Sequence, residues 1–151
     1  MQLLALRQPI CQGFLWKMHA SIVAEAESMT TTSPITLYGI PNCSSVKKGL
    51  DWLRDQNRSF VFHDFKKAGV PEPELDAWIS ALGWEALVNR KGTTWRNLPP
   101  DLQAQVLNNP SANPSARALM LSHPSVIKRP VIDWGTTSKK RFTVGFTPED
   151  W

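Results

Sequence analysis

Between Ile35 and Phe65 the hydrophobic period of the chain changes twice, and that change dictates a βαβ unit. Ile35 to Ile40 is a short, apolar, β-prone run that reads as a buried first strand. Ser44 to Gln56 then sets Val46, Leu50, Trp52 and Leu53 at helical spacing, with Asn57 as a stop. Phe60 to Phe65 returns to alternation, apolar against polar. Two strands joined through a helix run parallel, since the crossover carries the chain back to its starting edge.

Downstream, Gly69-Val70-Pro71 breaks the chain, and Pro71 to Leu82 reads as a helix closing at Gly83. Trp84 to Val88 adds a helical turn. Asn89 to Asn97 is polar, basic and glycine-containing, so a surface loop is expected there. Leu98-Pro99-Pro100-Asp101 opens a helix to about Leu107. Asn108-Asn109-Pro110 and Asn113-Pro114 punctuate the chain before another helix, Ser115 to Ser122. Val131-Ile132 and Arg141 to Phe146 are β-like and linked through Gly135, the pattern of a closing hairpin. Thr147-Pro148-Glu149-Asp150 has the residues of a starting helix, expected to be cut short at Trp151. The order is that of an α/β, thioredoxin-like (glutaredoxin-type) mixed sheet with a helical insertion between its second and third strands.

The expected domain covers residues 34–151, behind a poorly ordered extension over 1–33. In that extension Arg7, Gln8, Pro9 and Gln12 interrupt the apolar runs before a signal-peptide core forms, and Met29 is an alternative start. No apolar run is long enough to cross a bilayer, so no membrane role is expected and the cytoplasm is the expected compartment. Two cysteines, Cys11 and Cys43, are too few and too far apart for a disulfide framework. Three histidines without a close Cys/His cluster give no zinc pattern. The net charge of +4 is mild and scattered in short pairs such as Lys47-Lys48 and Lys66-Lys67, so direct nucleic-acid binding is not expected.

The residue with the strongest chemical signal is Cys43, where the first strand turns into the first helix. Unpaired N–H groups and positive partial charge at a helix start favour a thiolate, the reactive form of cysteine. Lys47 and Lys48 would add to that field if they face the thiol. Cys43-Ser44-Ser45-Val46 has no second cysteine, so a disulfide within the motif is excluded and an external thiol is needed. Pro130, in Arg129-Pro130-Val131-Ile132, stands at the first position of a strand and is a candidate cis-proline. His63-Asp64 are strand neighbours that point to opposite faces, so structural roles are expected. His123 sits at a helix end. Trp95, beside Arg96, is expected to pack rather than stack on a ligand, and Gly92-Thr93-Thr94 has too little glycine for a phosphate loop.

Four segments in order, LYGIPNCSSVKKGLDWL, LGWEALVNRKGTTWRNL, HPSVIKRPVI and FTVGFT, resemble the arsenate reductase (ArsC)-like family. Within it they are most similar to the small Spx/MgsR/YffB-like branch, and the resemblance spans residues 35 to 150. It implies a thioredoxin-like fold whose cis-proline lies beside the active cysteine. Cys43 then matches the nucleophile. Lys47 takes the place of the arginine in the family's Cys-x-x-x-Arg loop, keeping charge but losing the planar fork. Arg129 matches the arginine before the cis-proline. The mid-chain arginine falls on Asn89, Arg90 or Lys91, and the last family arginine on Gly145.

The resemblance therefore implies a thiol oxidoreductase working without a bound cofactor or metal, with glutathione as co-substrate. Glutathione or glutaredoxin would supply the external thiol, and Lys47, Arg90, Lys91 and Arg129 the positive potential. A monomer is expected. The alternatives are a non-catalytic Spx-type regulator that binds RNA polymerase, and an arsenate reductase, the latter weakened by the altered basic residues.

Overall fold

The structure, a computed structural model, describes residues 33–108, 113–135 and 141–151. Cys11, Met29 and the Asn109-Pro110 punctuation lie outside the described residues. Strands β1 (Ile35–Gly39) and β2 (Phe60–Asp64) pair in parallel, joined through helix α1 (Ser44–Asp55). Asn57, at φ 51°, turns the chain after α1, as its place in the sequence predicts. Strand β3 (Val131–Asp133) pairs antiparallel with β1, and β4 (Phe142–Val144) antiparallel with β3, giving the sheet order β2-β1-β3-β4. The expected mixed α/β sheet is therefore present.

Among the described residues, the insertion between β2 and β3 holds six α-helices, α2 (Phe65–Ala68), α3 (Glu72–Leu82), α4 (Trp84–Leu87), α5 (Thr93–Arg96), α6 (Pro100–Leu107) and α7 (Pro114–Ser122), and a 3-10 turn, Pro124–Val126. Strand alternation splits the core into two layers. Leu37 and Ile132 face one side, where Val46 and Leu53 of α1 cover them. Tyr38 and Val131 face the other, where Trp78, Leu87, Val106 and Met120 of the insertion close over them.

Two expectations need correction. The stretch Asn89 to Asn97 is not all loop, because it contains α5, whose Trp95 is 6% exposed. Burial of that one indole overrides the polar composition around it. Gln103 Nε2 secures the turn by donating to the Trp95 and Leu98 carbonyl oxygens at 3.1 and 3.0 Å. The second correction is after Thr147, where the chain forms a three-residue 3-10 turn, Pro148–Asp150, and the Thr147 side chain makes no capping bond.

Polar contacts pin the insertion together. Asn113 is buried as the N-cap of α7: its Oδ1 accepts the Ala116 N–H at 3.0 Å and its Nδ2 donates to the Val106 carbonyl oxygen. Arg117 of α7 reaches back to α3, donating from Nε to Asp76 Oδ1 at 2.5 Å and from Nη2 to Asp76 Oδ2 and Glu72 Oε2, each at 3.0 Å. Hydrogen bonding to Arg117 holds the Asp76 carboxyl below its ordinary range.

Two outcomes follow from this packing. Gly135, at φ 62°, lies so close to the Ser33 carbonyl that an added Cβ would sit 1.8 Å from its oxygen. Gly135→Ala should cost about 1–3 kcal/mol in urea unfolding, because neither the backbone angle nor the contact tolerates a methyl group. Tyr38 is the chain's one tyrosine, so ultraviolet titration reads it alone. Burial, reinforced by Glu74 and Asp133, pushes its phenol up to about 12. The midpoint should lie well above the ordinary value of about 10. The folded state holds this proton after the unfolded chain has lost it. Stability should therefore fall as pH rises from about 10 towards 12.

Candidate functional site

The register assembles the site at one end of the sheet. β1 ends at Gly39, and the chain turns through Ile40 to Asn42, closed by the Cys43 N–H donating to the Ile40 carbonyl oxygen at 3.1 Å. Cys43 is the N-cap of α1: its backbone is extended (φ −96°, ψ 126°), and its carbonyl oxygen accepts the Lys47 N–H at 3.0 Å. Its side chain makes no capping bond, leaving the thiol uncommitted to the helix. It is half-buried, resting against the layer that contains Leu37, Val46 and Ile132. The first turn of α1 carries no acidic residue, so the positive field of that helix end is unopposed from within the turn.

Tyr38 lies opposite Val131, which brings the preceding residues, Arg129 and Pro130, to the same end of the sheet as Cys43. The Arg129–Pro130 peptide bond is cis, as the position of Pro130 predicts, and Pro130 is buried. Val144 lies opposite Val131, so Gly145 reaches this end too, and its N–H donates to the Pro130 carbonyl oxygen at 2.8 Å. Gly145 has φ 86°, and a Cβ there would meet nothing within 4 Å. The site is open at that point.

Arg129 is half-buried, and its Nε is fully buried with no hydrogen-bond partner among the described residues. Folding strips water from a donor of this kind at a cost of about 1–3 kcal/mol unless an acceptor meets it.

The other predicted cations are placed differently. Lys47 is exposed on the first turns of α1. Arg90 and Lys91 line a separate hollow of about 270 Å³ together with Glu85, Val88, Asn89 and Lys128. The turn is fixed by an isolated bridge between Val88 and Ile127, and by Asn89 N–H to Val126 O at 2.8 Å and Lys128 N–H to Leu87 O at 2.7 Å. The Arg90 guanidinium lies over the Trp84 ring, 5.6 Å from its centre, a cation–π contact that holds the fork in place. Cys43 does not line this hollow. Sequence reasoning missed Lys128; its signal was its place directly before Arg129-Pro130.

The remaining polar residues have structural work, as expected. His63 Nε2 donates to the Gly69 carbonyl oxygen at 2.9 Å, and Asp64 caps α2 by accepting the Lys66 N–H at 2.8 Å. His123 ends α7, with its Nδ1 3.0 Å from Ser122 Oγ. Among the described residues no His, Cys, Asp and Glu side chains group as metal ligands, and no helix is long and apolar enough to cross a membrane.

The ArsC family model matches residues 38–151. The solved structure of a protein named YffB is similar with a TM-score of 0.68 and 37% identity, covering 77% of this chain and 94% of that one. An arsenate reductase (ArsC) related protein from Brucella melitensis matches with a TM-score of 0.58 and 41% identity, covering 79% and 92%. The global transcriptional regulator Spx of Streptococcus agalactiae is 25% identical over 118 residues, which is 77% of this chain and 79% of Spx.

The orphaned donor can be tested directly. Arg129→Met keeps the aliphatic length but removes the unpartnered Nε. Thermal unfolding of the ligand-free variant should show it as stable as the parent or up to about 2 kcal/mol more so, whereas a satisfied structural arginine would be missed.

Proposed function

Because this chain belongs to the ArsC family, we propose that it is a glutathione-dependent thiol oxidoreductase with Cys43 as its single nucleophile. One observation supports this most: an uncommitted thiol at the N-cap of α1 shares a sheet end with the unpartnered, buried Nε of Arg129. A nucleophile and a guanidinium at the same end of the sheet suit thiol–disulfide exchange with a carboxylate-bearing thiol.

The exchange runs in two steps. The Cys43 thiolate attacks the glutathione sulfur of a mixed disulfide, R–S–S–glutathione. The S–S bond breaks, and R–S⁻ leaves with the electron pair and takes a proton from water. Cys43 now carries glutathione. A second glutathione thiolate attacks that sulfur, releasing glutathione disulfide and restoring the Cys43 thiolate. The net change converts R–S–S–glutathione and one free glutathione into R–SH and glutathione disulfide. Val46, fully buried where a Cys-x-x-Cys motif would hold its second sulfur, cannot resolve the adduct, so the second thiol comes from outside. Arg129 orients a glutathione carboxylate, while Lys47, Arg90 and Lys91 contribute longer-range attraction. The chain acts as a monomer in the reducing cytoplasm, where glutathione maintains the supply of thiol.

Arsenate is a poorer fit. A small oxyanion is gripped by converging planar forks, and Lys47 and the bare Gly145 supply none. A second reading, favoured by the identity with Spx, is binding to RNA polymerase without turnover. It requires no chemistry at Cys43.

The test uses a Cys11→Ser background, so that Cys43 is the one thiol. Glutathione disulfide should leave one glutathione adduct by mass, removed by fresh glutathione. Cys43→Ser should reduce turnover of a glutathionylated peptide by about 10³-fold or more without loss of folding. Undiminished turnover in that variant rules the proposal out. Recovery of RNA polymerase by wild type and Cys43→Ser alike, with no turnover in either, establishes the second reading.

A further inference from the structure

We infer that the sheet end around Cys43 is a docking surface for acidic polypeptides, so that the mixed disulfides this chain reduces are those on acidic protein segments. The inference rests on the thiol chemistry proposed above and specifies its substrate class.

The topology gathers the charge. β1 and β2 are parallel, so their carboxyl ends lie side by side, and the amino end of antiparallel β3 joins them. Each of these ends leads into or out of a basic pair. Lys47 and Lys48, both exposed, ride on the first turns of α1 directly after β1. Lys66 and Lys67, also exposed, lie on α2, which begins at the residue after β2. Lys128 and Arg129 lead into β3, and Lys128 closes on Arg90 and Lys91 around the 270 Å³ hollow.

The opposing negative charge is limited to a few carboxylates, among them Glu74, which acts on the Tyr38 phenol near the end of β1. Glu85 lines the hollow, and Asp64 is engaged in capping α2. Glu72 and Asp76, on the helix after α2, are held by Arg117. The net charge of +4 spread over the whole chain hides this one-sidedness, since the sequence separates the pairs by up to about eighty residues. Cations leading off the same end of the sheet as the thiol raise the local concentration of anionic partners and speed encounter.

Two features favour a polypeptide over a nucleic acid. The thiol at the centre exchanges with sulfur, which a protein carries. Single-stranded nucleic acids also seek exposed aromatic platforms. Here Trp84 and Trp95, the indoles nearest the basic hollow in sequence, are buried at 4% and 6% exposure.

The experiment compares two glutathionylated peptides of equal length, one flanked by glutamates and one by serines. At about 20 mM salt, kcat/KM should favour the acidic peptide by about tenfold or more. The preference should collapse by about 300 mM salt, as screening shortens the reach of each charge. In the Lys66→Gln, Lys67→Gln double variant, the acidic-to-neutral ratio should fall at least threefold. Equal kcat/KM values for the two peptides, or a ratio unmoved by salt and by the variant, overturn the inference while leaving the thiol chemistry standing. If neither peptide is turned over, the chemistry fails, and fluorescence anisotropy with the reduced peptides decides the surface alone. Salt-sensitive binding of the acidic one supports the inference, and equal binding overturns it. A thymidine oligonucleotide of the same charge binding more tightly than the acidic peptide would also overturn it.

Discussion

The pairing of β1 on both edges governs everything else in this molecule. β1 lies between parallel β2 and antiparallel β3, and its side chains feed both core layers, Leu37 into one and Tyr38 into the other. A slip of one residue would exchange those two faces, forcing a phenol under α1 and a leucine among the indoles of the insertion. The same register fixes how far the turn after Gly39 projects, and with it the position of Cys43 relative to Arg129 and Pro130. Site geometry and core packing are thus one constraint. The proposed chemistry would take its precision from a strand that contributes no reacting atom.

How legible this was depended on whether local or distant residues decided an element. The βαβ unit was readable because Val46, Leu50 and Leu53 repeat at helical spacing, and the strands on either side alternate. The cis bond before Pro130 could be anticipated from a proline opening a strand within a recognisable family motif. Trp95 behaved otherwise. Nothing in its polar neighbourhood announces a helix, and its burial depends on packing partners distant in sequence, with Gln103 completing the turn. The hollow formed by Arg90, Lys91 and Lys128 was hidden for the same reason. Its walls come from segments almost forty residues apart, joined through the single bridge of Val88 to Ile127.

Arg129 shows how stability and site can oppose each other. A guanidinium nitrogen buried without an acceptor is a local defect when the protein stands alone, and the rest of the fold must outweigh it. The insertion contributes polar pairs with satisfied partners, although the Trp78 indole N–H is itself buried without an acceptor among the described residues. Asn113 meets both a donor and an acceptor, and Arg117 engages two carboxylates.

Val46 has a further meaning when seen as a step in descent. It fills the core three residues beyond Cys43, fully buried and close under Gly39. Cysteine is only slightly smaller than valine and equally at home in an apolar interior, so the core would accept the exchange at little cost. A lineage carrying this chain therefore stands one substitution from a paired-sulfur motif. On the proposed chemistry, the side chain at position 46 decides whether an adduct on Cys43 passes to an outside thiol or is closed by a neighbouring sulfur. The scaffold itself would not need rebuilding for that substitution.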